Sequence, residues 1–369
     1  MKKIFSALIV FILIFSFVSC GTAYEPVKST DEEKRIVMTA EFDGEKYNIK
    51  YELYRAIFLS LKSEIDGGDE SVWTGADKDE YIKRADALAK SRIADIYSVF
   101  HLAEKIGIDV YSREFDKYVE DFIEVSVEGG FYNDTEIDGF GGDYTKYLEY
   151  LKENNLNYSV QDLIIRYSLA GAKIFEYYVG NLDTGEFLPN VTVGKLEYTK
   201  EDVRAFYDSA ECVRVINATL PSLNFTRARA EEIRNTIIEK AKYGEESVAY
   251  YVIGLSAIGG SDIKAGEIIA KHNLDSAYYA ELIQAAFSLK SFEVSEVIEI
   301  DTDNGLYYHV LYKTIKDDQN FEDNYNNIRV AYLENEVGKL IDNAAAELKE
   351  AFKNTAVLDE MNYSEIKMN

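Results

Sequence analysis

Ala277-Tyr-Tyr-Ala-Glu-Leu-Ile-Gln-Ala-Ala-Phe-Ser-Leu289, Glu293-Val-Ser-Glu-Val-Ile-Glu-Ile300 and Leu306-Tyr-Tyr-His-Val-Leu-Tyr312 follow one another late in a 369-residue chain. The first stretch, rich in Ala and Leu and free of Gly and Pro, predicts a helix. The other two, β-branched and aromatic, predict strands, and Asp303-Asn304-Gly305 between them predicts a hairpin turn. Working outward, Glu211-Cys-Val-Arg-Val-Ile-Asn-Ala-Thr-Leu220 is a further strand, followed by a helix over about 226–242. Thr199-Lys-Glu-Asp202 opens a short helix ahead of it. Glycines at Gly254, Gly259, Gly260 and Gly266 predict loops. Strand, helix, loops, helix, strand, strand over residues 201–316 is a small α+β domain.

Upstream the pattern is helical. Ile36-Val-Met-Thr-Ala-Glu-Phe42, Asp43-Gly44 and Lys46-Tyr-Asn-Ile49 predict a β-hairpin. Helices are then expected over about 51–65 and 78–106. In the second, Tyr81, Ala85, Leu88, Ile96, Val99, Ala103 and Ile106 make one apolar face, and Gly107 ends it. Ser112 is the expected cap of a helix carrying Phe115, Val119 and Phe122, and Tyr144 to Glu153 forms another. Ser159, with Asp162 three residues on, is the expected cap of a helix reaching Gly180. Residues 51–185 thus read as an all-helical array. A last helix is expected over about 320–352, where Val330, Leu333, Val337, Ile341, Ala344 and Leu348 repeat at helical steps.

The N-terminus carries a different signal. Lys2 and Lys3 precede an uncharged apolar run from Ile4 to Val18, the pattern of a secretory signal peptide. The run is shorter than the roughly 20 apolar residues that cross a bilayer. Phe17-Val18-Ser19-Cys20 resembles the lipobox of bacterial lipoproteins, which implies that residues 1–19 are removed and Cys20 is lipidated. Residues 20–35, polar and unpatterned, then read as a tether. Only Cys212 remains as a second cysteine, so the mature chain has no intrachain disulfide. With 66 acidic against 40 basic residues the net charge is −26, which excludes a nucleic-acid partner.

The colinear set of segments resembles the PrsA- and SurA-type extracytoplasmic foldases, which join a helical chaperone domain to a parvulin-type peptidyl-prolyl isomerase domain. Leu282 to Ile298 is similar to the parvulin pattern Phe-x-x-Ala-Ala-Phe-x-Leu-x-x-Gly-Glu-Val-Ser-x-Pro-Val, and Gly305 to Leu311 to its Gly-Tyr-His-Ile-Ile. Phe42-Asp-Gly-Glu-Lys-Tyr47, Leu102-Ala-Glu-Lys-Ile-Gly-Ile-Asp-Val-Tyr-Ser112, Tyr147 to Leu156, and Val191-Thr-Val193 with Val203 to Asp208 resemble the helical domain. The resemblance implies an α+β multidomain chain. Its mostly helical domain, 36–200, would be completed by a C-terminal helix and tail, 317–369, with the parvulin-like domain, 201–316, inserted between them. It implies an exported folding factor anchored at Cys20 to the outer face of the cytoplasmic membrane, or to the outer membrane of a two-membrane cell. Unfolded exported polypeptides would be its partners and no cofactor would be needed.

The family's site residues carry over incompletely. The second parvulin histidine is His309, while the first falls on Asn217. The acidic or cysteine position falls on Ala257, with Asp262 nearby, and the Gly-Gly-Asp-Leu-Gly loop survives as Ala265-Gly266-Glu267-Ile268. Phe287 keeps the apolar wall and Leu282 stands where Phe is usual, so these two are the expected peptide-binding residues. Asn217 donates and accepts hydrogen bonds but does not titrate, which sets isomerase activity against a silent peptide-binding holdase. His101 reads as a packed histidine, His272 as a surface one and Cys212 as structural. Three dispersed histidines give no metal-ligand spacing. Asp301 to Gly305 begins like a calcium loop, but Tyr312 stands where the closing Glu belongs. A solute-binding lipoprotein would need two α/β lobes, and a structural envelope protein repeats or β-sandwiches; neither pattern is present.

Overall fold

The computed structural model describes residues 24–66, 70–132, 135–180, 194–255, 266–272, 276–302 and 305–353. The expected signal peptide and Cys20 lie outside them. The chain is an α+β protein of two compact units. The described part of the helical unit comprises residues 24–174 and 340–353, and the sheet unit spans 175–339, so the sheet unit is inserted within the helical one in sequence.

The helical unit opens with antiparallel strands β1 (Ile36–Phe42) and β2 (Glu45–Lys50). Asp43 (φ 52°) and Gly44 (φ 82°) supply the left-handed pair that a two-residue hairpin turn requires. Helices α1 (Tyr51–Asp66), α2 (Lys78–Lys105), α3 (Arg113–Glu128), α4 (Tyr144–Glu153) and α5 (Tyr158–Val179) follow. Between α3 and α4 the short strands β3 (Gly130–Tyr132) and β4 (Thr135–Ile137) pair, so the array is not wholly helical. Two expected caps also differ. Ser112 occupies the N-cap of α3 without a side-chain cap bond. At α5 it is Asn157 Oδ1 that accepts from Val160 N at 2.9 Å, while Ser159 Oγ donates to buried Glu52 at 2.9 Å. His101 is buried, its Nδ1 2.7 Å from Tyr47 Oη.

Residues 24–35 are docked rather than free. The Tyr24 ring lies 4.8 Å from that of Tyr144 and its hydroxyl bonds Glu128. Tyr144 Oη donates to Glu25 O at 2.9 Å, and Asn157 Nδ2 donates to Glu33 at 3.0 Å. Beside them a cavity of about 330 Å³ is lined by Val27, Glu33, Glu52, Arg55, Leu151 and Tyr158, among others.

The sheet unit contains α6 (Lys200–Asp208), β5 (Cys212–Pro221), α7 (Arg227–Ala241), α8 (Glu245–Leu255), β6 (Glu267–Ala270), α9 (Ser276–Ser288), β7 (Ile298–Thr302) and β8 (Gly305–Lys313). Thr199 and Asp202 close a reciprocal capping box on α6. The four strands form one antiparallel sheet in the order β6-β5-β8-β7. Alternation along β5 and β8 sorts side chains to two faces. Ile216, Ala218, Leu220, Tyr308, Val310 and Tyr312 pack under α7 and α8. Val213, Val215 and Leu311 pack with Ile300 under α9 through Leu282 and Ala286.

Two elements of this unit differ from the expectation. Residues 245–255 form α8, and Glu267–Ala270 is a strand, where glycines alone predicted loops. The expected strand over 293–300 is broken: β7 starts at Ile298, and Val294 makes only an isolated bridge to Tyr312. Ser295 Oγ substitutes for a strand acceptor by taking the Leu311 N–H at 2.9 Å. The expected last helix is two, α10 (Asp318–Asp323) and α11 (Tyr325–Lys353), separated at Asn324. The end of α11 belongs to the helical unit, where Lys349 pairs with Asp95 at 2.6 Å and Phe352 meets Tyr47 edge-on.

Phe292 adopts φ +70° and is 56% exposed. That is a left-handed turn position that favours Gly. A bulky residue there costs about 1–2 kcal/mol. Phe292→Gly is expected to raise the urea midpoint by a stability gain of about 1 kcal/mol at unchanged m value, since the added freedom of the unfolded chain offsets part of the relief. No gain would show that the turn is unstrained.

Candidate functional site

The sheet face under α9 carries polar residues beyond its apolar cluster. Beyond Val215 on β5 the same side presents Asn217 and Thr219, and beyond Leu311 on β8 it presents His309. Thr219 lies directly opposite His309 in the register, and Ile298 of β7 flanks His309 on its other side. Glu267 of β6, opposite Val215, falls on this face too. A polar row therefore crosses the four strands as Glu267, Asn217, His309, ending at Ile298.

Its members are hydrogen-bonded. His309 Nδ1 lies 3.2 Å from Asn217 Oδ1 and 3.5 Å from Thr219 Oγ1. Asn217 Nδ2 donates to Glu267 Oε2 at 3.1 Å. His309 is 3% exposed, and its buried Nε2 has no hydrogen-bond partner among the described residues. Burial pushes its pKa down to about 4, so the imidazole is neutral near pH 7. Glu267 reaches solvent at the sheet edge, yet the protein around its carboxyl raises the pKa, with the Asn217 hydrogen bond opposing that rise.

The apolar wall adjoins this row. Leu282 is wholly buried in the α9 layer, whereas Phe287, on the same layer, is half-buried. Lys313 fixes that helix to β8 by donating from Nζ to Ala286 O at 3.1 Å and Leu289 O at 2.7 Å. Carbonyls at a helix C-terminus lack intrahelical donors, so the ammonium satisfies what the helix cannot.

The structure thus brings Asn217 and His309 together, with Phe287 on the adjoining layer. Ala257 and Asp262 lie outside the described residues. Glu267 was visible in the sequence only as part of a degenerate loop. The signal was its place two residues before the apolar Ile269, on a strand too short to recognise. Cys212 is buried under α6, its thiol near Phe206 O and its pKa pushed up to about 11 by burial, which leaves it unreactive. His272 is half-buried, and its N–H donates to Asn335 Oδ1 at 3.2 Å. Among the described residues no group of His, Cys, Asp and Glu is arranged to hold a metal ion.

No protein-family model matches the chain, and no curated protein matches it. Among solved structures it is similar to the foldase protein PrsA from Streptococcus pneumoniae, at 13% identity and TM-score 0.26, covering 88% of this chain and 97% of that one. It is similar also to PrsA from Bacillus subtilis, at 14% identity and TM-score 0.23, covering 91% and 99%. A third is the peptidylprolyl isomerase PrsA from Bacillus cereus, at 16% identity and TM-score 0.24, covering 79% and 94%. At these values the likenesses are distant.

The burial of His309 has a consequence for stability. The unfolded chain takes up a proton below the ordinary histidine pKa of 6.5, while the folded chain resists protonation down to about 4. The contribution of His309 is present above pH 6.5 and is lost as pH falls from there towards 4. Wild type should therefore lose about 2 kcal/mol relative to His309→Gln between about pH 7.5 and about pH 5, read by urea unfolding. A difference that stays constant with pH would show that His309 titrates normally.

Proposed function

We propose that the chain is an exported, lipid-anchored folding factor that binds unfolded polypeptides, and that its sheet unit is a divergent parvulin-type peptide-binding domain. The observation that carries this reading is the meeting of Asn217 and His309, 92 residues apart in sequence, beside the layer that holds Phe287. Those are the positions onto which the parvulin pattern projects its paired polar groups and apolar wall. Several features support it further. All described sheets are antiparallel, which disfavours the two α/β lobes of a solute-binding protein. The chain is strongly acidic, which suits basic segments of unfolded clients.

Catalysis is the narrower reading. Rotation about an Xaa-Pro bond has a barrier of about 18–20 kcal/mol, and a protein lowers it by holding the ring in an apolar pocket among oriented dipoles. Here one of the two expected imidazoles is an amide, and the other is neutral with Nδ1 already engaged. Peptide binding with weak or silent isomerisation follows from that arrangement.

Anchoring rests on Cys20. Among the described residues no helix is long and apolar enough to cross a membrane. With Tyr24 docked on Tyr144, three residues separate it from the lipidated position, a reach of at most about 14 Å. The anchor would hold the helical unit close to the bilayer rather than on a long leash.

Three measurements test these readings. The chain without its first 20 residues should suppress aggregation of an unfolded client at near-stoichiometric ratio; no suppression and no binding to unfolded chains would sink the folding-factor reading. In a proline-tetrapeptide assay wild type and His309→Ala should both run near the background rate, while Asn217→His should gain activity. A wild-type rate far above background that His309→Ala abolishes would establish the catalytic reading instead. Cys20→Ala should move the protein from the detergent phase to the aqueous phase on partitioning; an unchanged distribution would remove the anchor.

A further inference from the structure

The row across the sheet has a direction built into it. A neutral imidazole carries one proton, on Nδ1 or Nε2, and the partner of Nδ1 decides which. Two groups face Nδ1: the Thr219 hydroxyl at 3.5 Å, which rotates to donate or accept, and, nearer, the Asn217 amide, whose Oδ1 accepts and whose Nδ2 donates. Left to itself an asparagine beside one histidine nitrogen can present either end. At the far side of Asn217, however, stands Glu267, whose Oε2 takes the Asn217 N–H. Its oxygen lies 3.1 Å from the Asn217 nitrogen. The amide is thereby turned so that Oδ1 faces His309 at 3.2 Å. An acceptor at that place holds the proton on Nδ1. Nε2 is then the unprotonated end, and it is the atom that is buried without a partner among the described residues.

We propose that Glu267 is a positioning residue which, through the orientation of the Asn217 amide, holds His309 in the Nδ1–H form and leaves Nε2 as a hydrogen-bond acceptor. This deepens the parvulin-type reading of the same face, because it assigns the polarity with which the site meets a bound chain. The work is done across three strands, β6, β5 and β8, whose register brings the residues into line. Neither end of the row is close to the other in sequence.

The tautomer is read directly from ring nitrogen and carbon signals in two-dimensional ¹H–¹⁵N spectra of histidine-labelled full-length protein near pH 7.5. The chain has three histidines, so His309→Ala assigns the signal without ambiguity. Wild type should show at least a tenfold excess of the Nδ1–H form. Glu267→Gln keeps the shape but can donate as well as accept, so the amide loses its imposed sense and the two tautomers should approach comparable populations. Glu267→Asp keeps a carboxyl to take the Asn217 N–H and should retain the Nδ1–H form. Nε2–H as the major wild-type form, or a Glu267→Gln spectrum like wild type, would overturn the proposal. Because no client and no turnover enter the measurement, its failure would leave the folding-factor reading to be decided by aggregation suppression alone.

Discussion

The pairing of β5 with β8 is the constraint on which the sheet unit depends. Side chains alternate faces with a period of two, so a slip of one residue would turn one strand over relative to the other. It would send either Asn217 or His309 under α7 and α8 and part the two, bringing Ala218 or Val310 to the other face. Several contacts fix the register. Arg214, with its side chain wholly buried, pairs with Glu245 at 2.6 Å and donates to Thr314 Oγ1 at 2.8 Å, tying β5 to α8 and to the end of β8. Gly266 lets the chain pass against that guanidinium, since a Cβ there would stand 2.9 Å from Arg214 Nε. A buried charge that lost its partner would be costly, about 3–5 kcal/mol. The register and the ion pair therefore stand together.

On β8 one face carries Lys313, Leu311 and His309 in turn: Lys313 binds the last carbonyls of α9, Leu311 packs under that helix, and His309 lies on the other side of Leu311. There the sheet could have continued with Val and Ile. Instead it carries an amide, a hydroxyl and an imidazole. Polar groups at the rim of a core are costly when left unpaired, and here Asn217 satisfies Glu267 on one side and His309 on the other. His309 Nε2 is buried without a partner among the described residues.

Much of this was legible in sequence. The hairpin at Asp43-Gly44, the capping box at Thr199, the strand through Asn217 and the strand through His309 each carried a local signal that tertiary packing did not override. What escaped had physical reasons. Helix α8 ends beside a glycine cluster, and its burial of Val248, Ala249 and Val252 gives little amphipathic contrast. Strand β6 is four residues long, below the length at which alternation can be read. Helix α11 was merged with α10 because Asn324 interrupts the helix without Gly or Pro to mark the break. The polar row itself could not be read, because it is a property of the registers of β6, β5 and β8 taken together.

Methyl-selective NMR of the folded chain with a proline-containing unfolded client peptide tests the central claim most directly, namely that the face around Asn217 and His309 receives a client chain. Shifts should concentrate at Ile298, Leu311 and the other methyls of the α9 face, leaving Val248, Val252 and Ile233 beneath the opposite face unmoved. Shifts confined to the opposite face or to the helical unit, or none at saturating peptide, would contradict it.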